Sequence, residues 1–204
     1  MGKNNLTIIY TYFGQKERLK GIVDEYHPDT RVIIVDDCSP EPLECPRNAD
    51  CYRIDTDITW NQPGAKNLGF QEAEGWIVCA DIDHLVTKEN VEDILKLEKK
   101  RGHIYYLGRE DNDSWNVFLI HKEDFPYYDE DFSGHYGYDD LLIYKHFQKT
   151  LKIEEVRNIR VKVFAKESSS KLERNTEFNR ELFEKKLASG EMPKDIIRFK
   201  WRKL

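Results

Sequence analysis

The residues of this chain best suited to chemistry are acidic residues at the ends of apolar runs. Asp81 and Asp83 flank Ile82 at the end of the run Trp76-Ile77-Val78-Cys79-Ala80. Read as a strand, that run fits the buried centre of a sheet. Strand alternation sends both carboxylates to one side as the chain leaves the core. Two like charges there repel each other, and burying them is costly. A divalent metal carrying a phosphorylated ligand would supply the missing positive charge. The plainer reading is a solvated turn, since Asp is common after strands. Asp36-Asp37 closes a second apolar run, Arg31-Val32-Ile33-Ile34-Val35. In a parallel sheet both pairs open onto the same edge, so four carboxylates would surround one crevice. Lys66 sits near the start of a helix beginning at Gly64, where a cation beside free N–H groups suits a phosphate; a solvated lysine is the alternative. Asp139-Asp140 opens a later helix after Gly134 and Gly137, where carboxylates also serve as simple caps.

Strands and amphipathic helices that alternate through the first hundred residues position these groups. Leu6 to Tyr12 reads as a strand, Gln15 to Tyr26 as a helix broken by His27-Pro28-Asp29, and Arg31 to Val35 as a second strand. A loop with Pro40, Pro42 and Pro46 leads to a short strand around Cys51 to Ile54. A helix follows from Gly64 to Glu74, then the Asp81 strand, then a charged helix from Glu89 to Arg101 capped by Gly102. The alternation predicts an open α/β sheet, largely parallel, with ligands at the carboxyl ends of its strands. The second half reads as strands at His103–Leu107 and Trp115–His121, an aromatic loop from Phe125 to Tyr138, and a helix from Tyr138 to Lys149. One or two strands occupy 151–165, and the chain beyond Lys171 is charged and helical, ending in a basic, aromatic stretch from Arg198 to Lys203.

Composition narrows the function classes. The 204 residues suffice for one domain with an appendage, and 32 Lys+Arg against 38 Asp+Glu give a net charge of −6. That balance argues against a general nucleic-acid binder, which needs a basic face. A mean hydropathy of −0.73 and the lack of a run of about 20 apolar residues predict a soluble protein without a transmembrane segment. Lys3-Asn4-Asn5 leads into only a short apolar stretch, so no signal peptide is expected. Cys38, Cys45, Cys51 and Cys79 show neither zinc-type pairing nor a small secreted scaffold, and Cys79 reads as a packed thiol. A reducing, cytoplasmic setting follows as the expectation. The basic aromatic C-terminus could touch a membrane surface or lead into a further domain beyond residue 204, with packing on its own domain as the commoner alternative.

Taken in order, five motifs resemble one family. The first strand, Val35-Asp36-Asp37-Cys38-Ser39, Asn61-Gln62-Pro63-Gly64-Ala65-Lys66-Asn67-Leu68-Gly69, Asp81-Ile82-Asp83 and Gly137-Tyr138-Asp139-Asp140-Leu141 together resemble a family 2 glycosyltransferase of GT-A fold. The resemblance covers roughly residues 6–150, and Tyr128-Asp129-Glu130-Asp131-Phe132 resembles that family's acceptor-side loop. It implies a catalytic domain at 1–165, with a nucleotide-binding half at 1–100 and an acceptor half at 101–165, followed by a helical extension at 166–204. It also implies a nucleoside-diphosphate sugar as donor (a UDP-sugar favoured), a glycan or glycoconjugate as acceptor, and Mn²⁺ or Mg²⁺ as cofactor.

The resemblance assigns roles as well. Thr11, Tyr12, Asp36, Asp37, Gly64, Lys66, Asn67, Asp81 and Ile82 would contact the nucleotide sugar. Tyr12 would stack on the base, Asp37, supported by Asp36, would bind its polar edge, and Lys66 would lie near the phosphates. Asp83 would hold the metal directly, and Asp81 would reach the ribose, or the metal through water. Asp140 would be the base that takes the acceptor proton, with Asp139 as neighbour or substitute. Trp115, His135, Tyr136 and Tyr138 are candidate sugar contacts, with ordinary aromatic packing as the alternative. A single displacement with inversion follows from this arrangement.

The chain also departs from the family pattern. Asp139-Asp140 is followed by Leu141-Leu142 rather than a further acid, which leaves the choice of base open. The stretch Val161 to Lys166 lacks the metal-binding histidine of many relatives, and His84 is expected to point away from the metal. The strand-end Asp-x-Asp is also similar to that of phosphatases of the haloacid dehalogenase type, although three strands precede it here. A catalytically silent sugar-nucleotide binder is a third reading. The compact size resembles that of glycosyltransferases encoded by large DNA viruses of algae, which would place the protein in a host cytoplasm.

Overall fold

The computed structural model describes residues 6–111, 116–164, 173–190, 193 and 195–204. In chain order the elements are β1 (Leu6–Tyr12), α1 (Lys16–Asp24), β2 (Thr30–Asp36), β3 (Asp50–Ile54), α2 (Gln62–Glu72), β4 (Trp76–Asp81), β5 (His84–Leu85), α3 (Lys88–Lys96), β6 (His103–Arg109), β7 (Phe118–His121), α4 (Asp139–Thr150), β8 (Lys152–Val163), α5 (Glu177–Ser189) and β9 (Trp201–Lys203). The strands form one sheet in the order β5-β8-β6-β7-β4-β1-β2-β3-β9. β1, β2, β3 and β4 are parallel neighbours, and β6 and β8 share their direction. β5, β7 and β9 run the other way.

Both faces of the sheet are covered, which is why its central strands are apolar throughout. Along β1, Leu6, Ile8, Tyr10 and Tyr12 enter one core with Leu19 and Ile22 of α1 and Val91 and Ile94 of α3. Ile9 enters the other, with Ala65 and Leu68 of α2 and Ile143 and Phe147 of α4. This two-faced alternation decides which strand-end residue meets which environment. After β1 the chain winds outward through β2 and β3, then returns to the opposite side of β1 as β4. The crevice between the ends of β1 and β4 is therefore the switch point at which open α/β sheets bind ligands.

Several elements end where local chemistry requires. α3 starts on a capping box, with Thr87 Oγ1 accepting from the Asn90 amide at 3.2 Å and Asn90 Oδ1 accepting from the Thr87 amide at 3.1 Å. It stops at Lys96 rather than running to Arg101, because Lys99 folds back to donate to the carbonyls of Ile94 (2.8 Å) and Leu97 (3.1 Å). A cation at the negative end of the helix dipole thus closes it five residues before Arg101. Trp115 lies outside the described residues, and the strand predicted there begins at Phe118.

The C-terminal segment is more than a helix. After α5 it crosses back to the sheet, where Trp201, Arg202 and Lys203 pair with Ile54, Arg53 and Tyr52. Glu130 fixes that return, accepting from the Ile197 amide at 2.6 Å and the Arg198 amide at 3.1 Å. The Tyr128–Phe132 acids therefore clasp the extension: Lys186 lies 2.8 Å from Asp129 and 2.6 Å from Asp131, and Arg198 lies 2.8 Å from Asp131. Cys45 and Cys51 form a disulfide, which the expectation of a reducing setting did not foresee. Cys79 is buried in the core as expected. No helix among the described residues is long and apolar enough to cross a membrane.

Candidate active site

Alternation sorts the strand-end residues. Ile33 and Val35 of β2 face the α2 side, and so do Ile77 and Cys79 of β4. Asp37 and Asp81 continue those rows, and Thr11, paired with Asp81 in register, continues the row of Ile9. Tyr12 and Asp36 belong to the opposite face. Tyr12 is 1% exposed and packed in the core, so it offers no face to a base. Phe13, the first residue after β1, is half-buried. Asp36 is fully buried, and its oxygens accept from the amides of Ser39 (2.9 Å) and Leu43 (3.0 Å) and from the Arg53 guanidinium. It shapes the loop after β2, and its burial keeps it from a ligand.

Three further expected contacts turn out to be structural. Asn67 is buried, donates to the Tyr128 carbonyl (3.0 Å) and Glu130 Oε1 (2.9 Å), and accepts from the Tyr128 amide (2.8 Å). Gly64 is a packing glycine: an added Cβ would lie 2.4 Å from Asn61 Oδ1 and 2.5 Å from the Phe199 ring. Ile82 is a core residue. Asn61 is a residue the sequence reading overlooked. It leaves its helix-capping role and donates to Asp37 Oδ1 at 3.1 Å while accepting from Ser133 Oγ at 2.9 Å. Burial pushes the Asp37 carboxyl up to about 7, against the lowering effect of the Asn61 hydrogen bond.

Lys66 is the centre of the site. Its ammonium is 1% exposed and lies 2.9 Å from Asp140 Oδ1, 3.4 Å from Asp81 Oδ1 and 4.9 Å from the centre of the Tyr128 ring. Burial works to strip its proton, but Asp140 and then Asp81 outweigh that, and the ammonium stays well above the usual lysine range. Gln62 Nε2 holds the same Asp81 oxygen at 2.6 Å. One buried cation thus links the strand-end carboxylate of β4 to the first turn of α4. Asp140 is partly open to solvent, its side chain 42% exposed. Asp139 is buried, with Oδ2 lacking a hydrogen-bond partner. Burial, reinforced by Asp140, pushes its carboxyl up to about 7.

The Asp81-Asp83 pair acquires a third partner. β4 ends at Asp81, a turn carries Ile82 and Asp83, and β5 begins at His84. One ligand atom from each of Asp81, Asp83 and His84 lies within 4.8 Å of the others. His84 is fully buried and both ring nitrogens lack hydrogen-bond partners; Nδ1 lies 3.1 Å from Asp83 Oδ1, unaligned for a hydrogen bond, and that oxygen is unpartnered too. His84 therefore turns toward Asp83, contrary to the expectation that it points away. Burial lowers its proton affinity, leaving a neutral imidazole able to give a lone pair. Two carboxylates, an imidazole and unsatisfied buried atoms suit Mn²⁺ or Mg²⁺, Mn²⁺ better for the nitrogen ligand.

The acceptor-side aromatics divide. His135 stacks on Phe178 of α5 (4.0 Å between centroids), and Tyr138, left-handed at φ 69°, packs on Phe183 (5.4 Å). Tyr136 instead meets Trp60 at 4.8 Å.

An acid-lined switch point with a metal-competent corner defines a nucleotide-sugar fold of GT-A type, and comparison with solved structures agrees. Crystallised GalNAc-T7 with UDP, GalNAc and Mn²⁺ aligns with a TM-score of 0.63 and 12% identity, covering 85% of this chain and 45% of that one. The mannosyltransferase PcManGT from Pyrobaculum calidifontis, in complex with GDP-Man and Mn²⁺, aligns with a TM-score of 0.62 and 14% identity, covering 93% and 66%. The chain thus spans about half to two-thirds of the length of these neighbours. The model of glycosyl transferase family 2 matches residues 16–168, and the chain belongs to that family. No curated protein sequence matches it. Membership removes the phosphatase alternative.

Proposed function

We propose that this chain is an inverting glycosyltransferase that moves a hexose or deoxyhexose from a nucleoside-diphosphate sugar, a UDP-sugar favoured, to a hydroxyl of a glycan or other acceptor. The observation that carries the reading is the Asp140–Lys66–Asp81 bridge, which joins a solvent-reachable carboxylate to a metal-competent corner at the switch point. Two neighbours of the same fold were solved with a nucleotide or nucleotide sugar and Mn²⁺.

Each group has a task its chemistry fits. Phe13 and Thr11 line the base side, and Asp37 accepts from the base N–H groups. Asp83, His84 and Asp81 would hold a divalent metal, which when bound would neutralise charge on the departing diphosphate. Lys66 holds Asp140 in place and is near enough to Asp81 to sense what occupies that corner. Asp140 takes the acceptor proton. Burial raises the proton affinity of Asp139, which favours it as a base, but Asp139 is buried whereas Asp140 is partly open to solvent; geometry outranks affinity in that choice. With Asp140 as the one base and the Asp81–Asp83 corner serving the leaving group, the reaction would be a single displacement with inversion.

Incubating the protein with a series of UDP-, GDP- and dTDP-sugars and Mn²⁺ tests the reading. The expected result is slow release of the nucleoside diphosphate from one donor class, reduced by about a hundredfold or more in Asp140→Asn when an acceptor is present. Nucleotide binding without any turnover would identify a silent binder instead.

A further inference from the structure

We infer that Trp60, Tyr136 and Arg174 form a platform for a saccharide acceptor, assembled partly by the C-terminal segment that follows the family core. The inference rests on the glycosyltransferase reading for its role and on the following geometry for its existence.

Trp60 and Tyr136 belong to neither hydrophobic core, although both are large aromatic residues and half-buried. Their ring centroids lie 4.8 Å apart with planes inclined at 57°, which forms a corner rather than a closed stack. Arg174 lies over the Tyr136 ring, its guanidinium carbon 5.4 Å from the centroid, and is exposed. Trp60 is held in the left-handed region at φ 52°, a conformation that costs a bulky residue about 1 kcal/mol or more. Such strain persists only where the surroundings fix it. Here the Gly134 amide donates to the Thr59 carbonyl at 2.7 Å, the Trp60 indole N–H donates to the Glu173 carbonyl at 3.1 Å, and the next residue, Asn61, is tied to Asp37.

The loop bearing Tyr136 is fixed as firmly. Asn179 of α5, fully buried, directs its amide nitrogen at the carbonyls of Phe132 (3.1 Å), His135 (2.9 Å) and Gly137 (2.8 Å). Three residues after Tyr136 that loop enters α4 at Asp139, with Asp140 next. The platform is therefore connected on one side to the start of α4, through the loop of Tyr136, and on the other to Asp37, through Asn61.

Its chemistry selects a carbohydrate. Apolar C–H faces of a pyranose pack on aromatic rings, and a guanidinium supplies several donors to the hydroxyls at the sugar's edge. Arg174 and Glu173 lie beyond residue 168, where the family match ends, so this acceptor contact belongs to the chain's own extension.

Saturation-transfer NMR with methyl glycosides of glucose, galactose, mannose and N-acetylglucosamine, with and without UDP and Mn²⁺, tests the inference. At least one glycoside should contact the wild-type protein. Trp60→Ala and Arg174→Ala should each weaken that contact about tenfold or more while leaving UDP affinity within about twofold, and Trp60→Phe should retain most of it. UDP binding without contact to any glycoside overturns the platform alone, as does glycoside binding unchanged in Trp60→Ala and Arg174→Ala. Glycoside contact at Trp60 without UDP binding leaves the platform standing and overturns the donor reading. Melting of Trp60→Ala close to that of the wild type shows that its loss of contact is not unfolding.

Discussion

Lys66 is an alkyl ammonium taken almost wholly out of water, and it is tolerable there only because Asp140 and Asp81 stand against it. Removing it leaves two carboxylates facing each other across a buried site. Lys66→Met should therefore destabilise the protein by about 3 kcal/mol in metal-free buffer. Mn²⁺ should raise the melting temperature of that variant more than that of the wild type, since the ion replaces part of the lost positive charge; thermal melts with and without Mn²⁺ measure this. The acids themselves were readable in the sequence, but their partners were only partly so. Alternation along Val32-Ile33-Ile34-Val35 already separates Asp36 from Asp37, and the same rule places Tyr12 in the core and Phe13 outside it. That signal was present and unused. His84 was not readable, because a two-residue turn, and not strand geometry, brings its ring back to Asp83.

At the scale of elements, the apolar runs of β1, β2 and β4 identified themselves, because strands buried on both faces carry nothing else. β9 did not, since three residues with two charges carry no strand signal; it exists because β3 offers an unpaired edge. The Cys45–Cys51 disulfide is likewise a matter of folding rather than spacing. It ties the Pro-rich loop after Asp37 to the buried start of β3 across a sequence separation of 6. Disulfides persist in oxidising surroundings, which sits poorly with the reducing compartment expected from the cysteine pattern. Closing so short a loop contributes about 2 kcal/mol on the chain-entropy account. Cys45→Ser, or dithiothreitol, should lower the melting temperature accordingly and weaken nucleotide binding only modestly, because Asp37 keeps its Asn61 partner.

For the molecule as a whole, the family core and the extension work as one body. Glu130 joins them through Asn67 on α2 and the amides of Ile197 and Arg198 on the returning tail. Glu130→Ala strands those donors and should cost about 3 kcal/mol in denaturant unfolding, well beyond a typical surface substitution. Asp81, Asp83, His84 and Lys66 come together at the end of β4, with Asp37 at the end of β2 on the far side of β1, and the proposed function requires a metal and a nucleoside diphosphate to meet there. Titration calorimetry with UDP, with and without Mn²⁺, on wild type and Asp83→Ala measures that directly. Mn²⁺ should tighten UDP binding to the wild type by about tenfold or more and have little effect on Asp83→Ala. UDP binding that is indifferent to Mn²⁺, or equally strengthened by it in Asp83→Ala, would contradict the account.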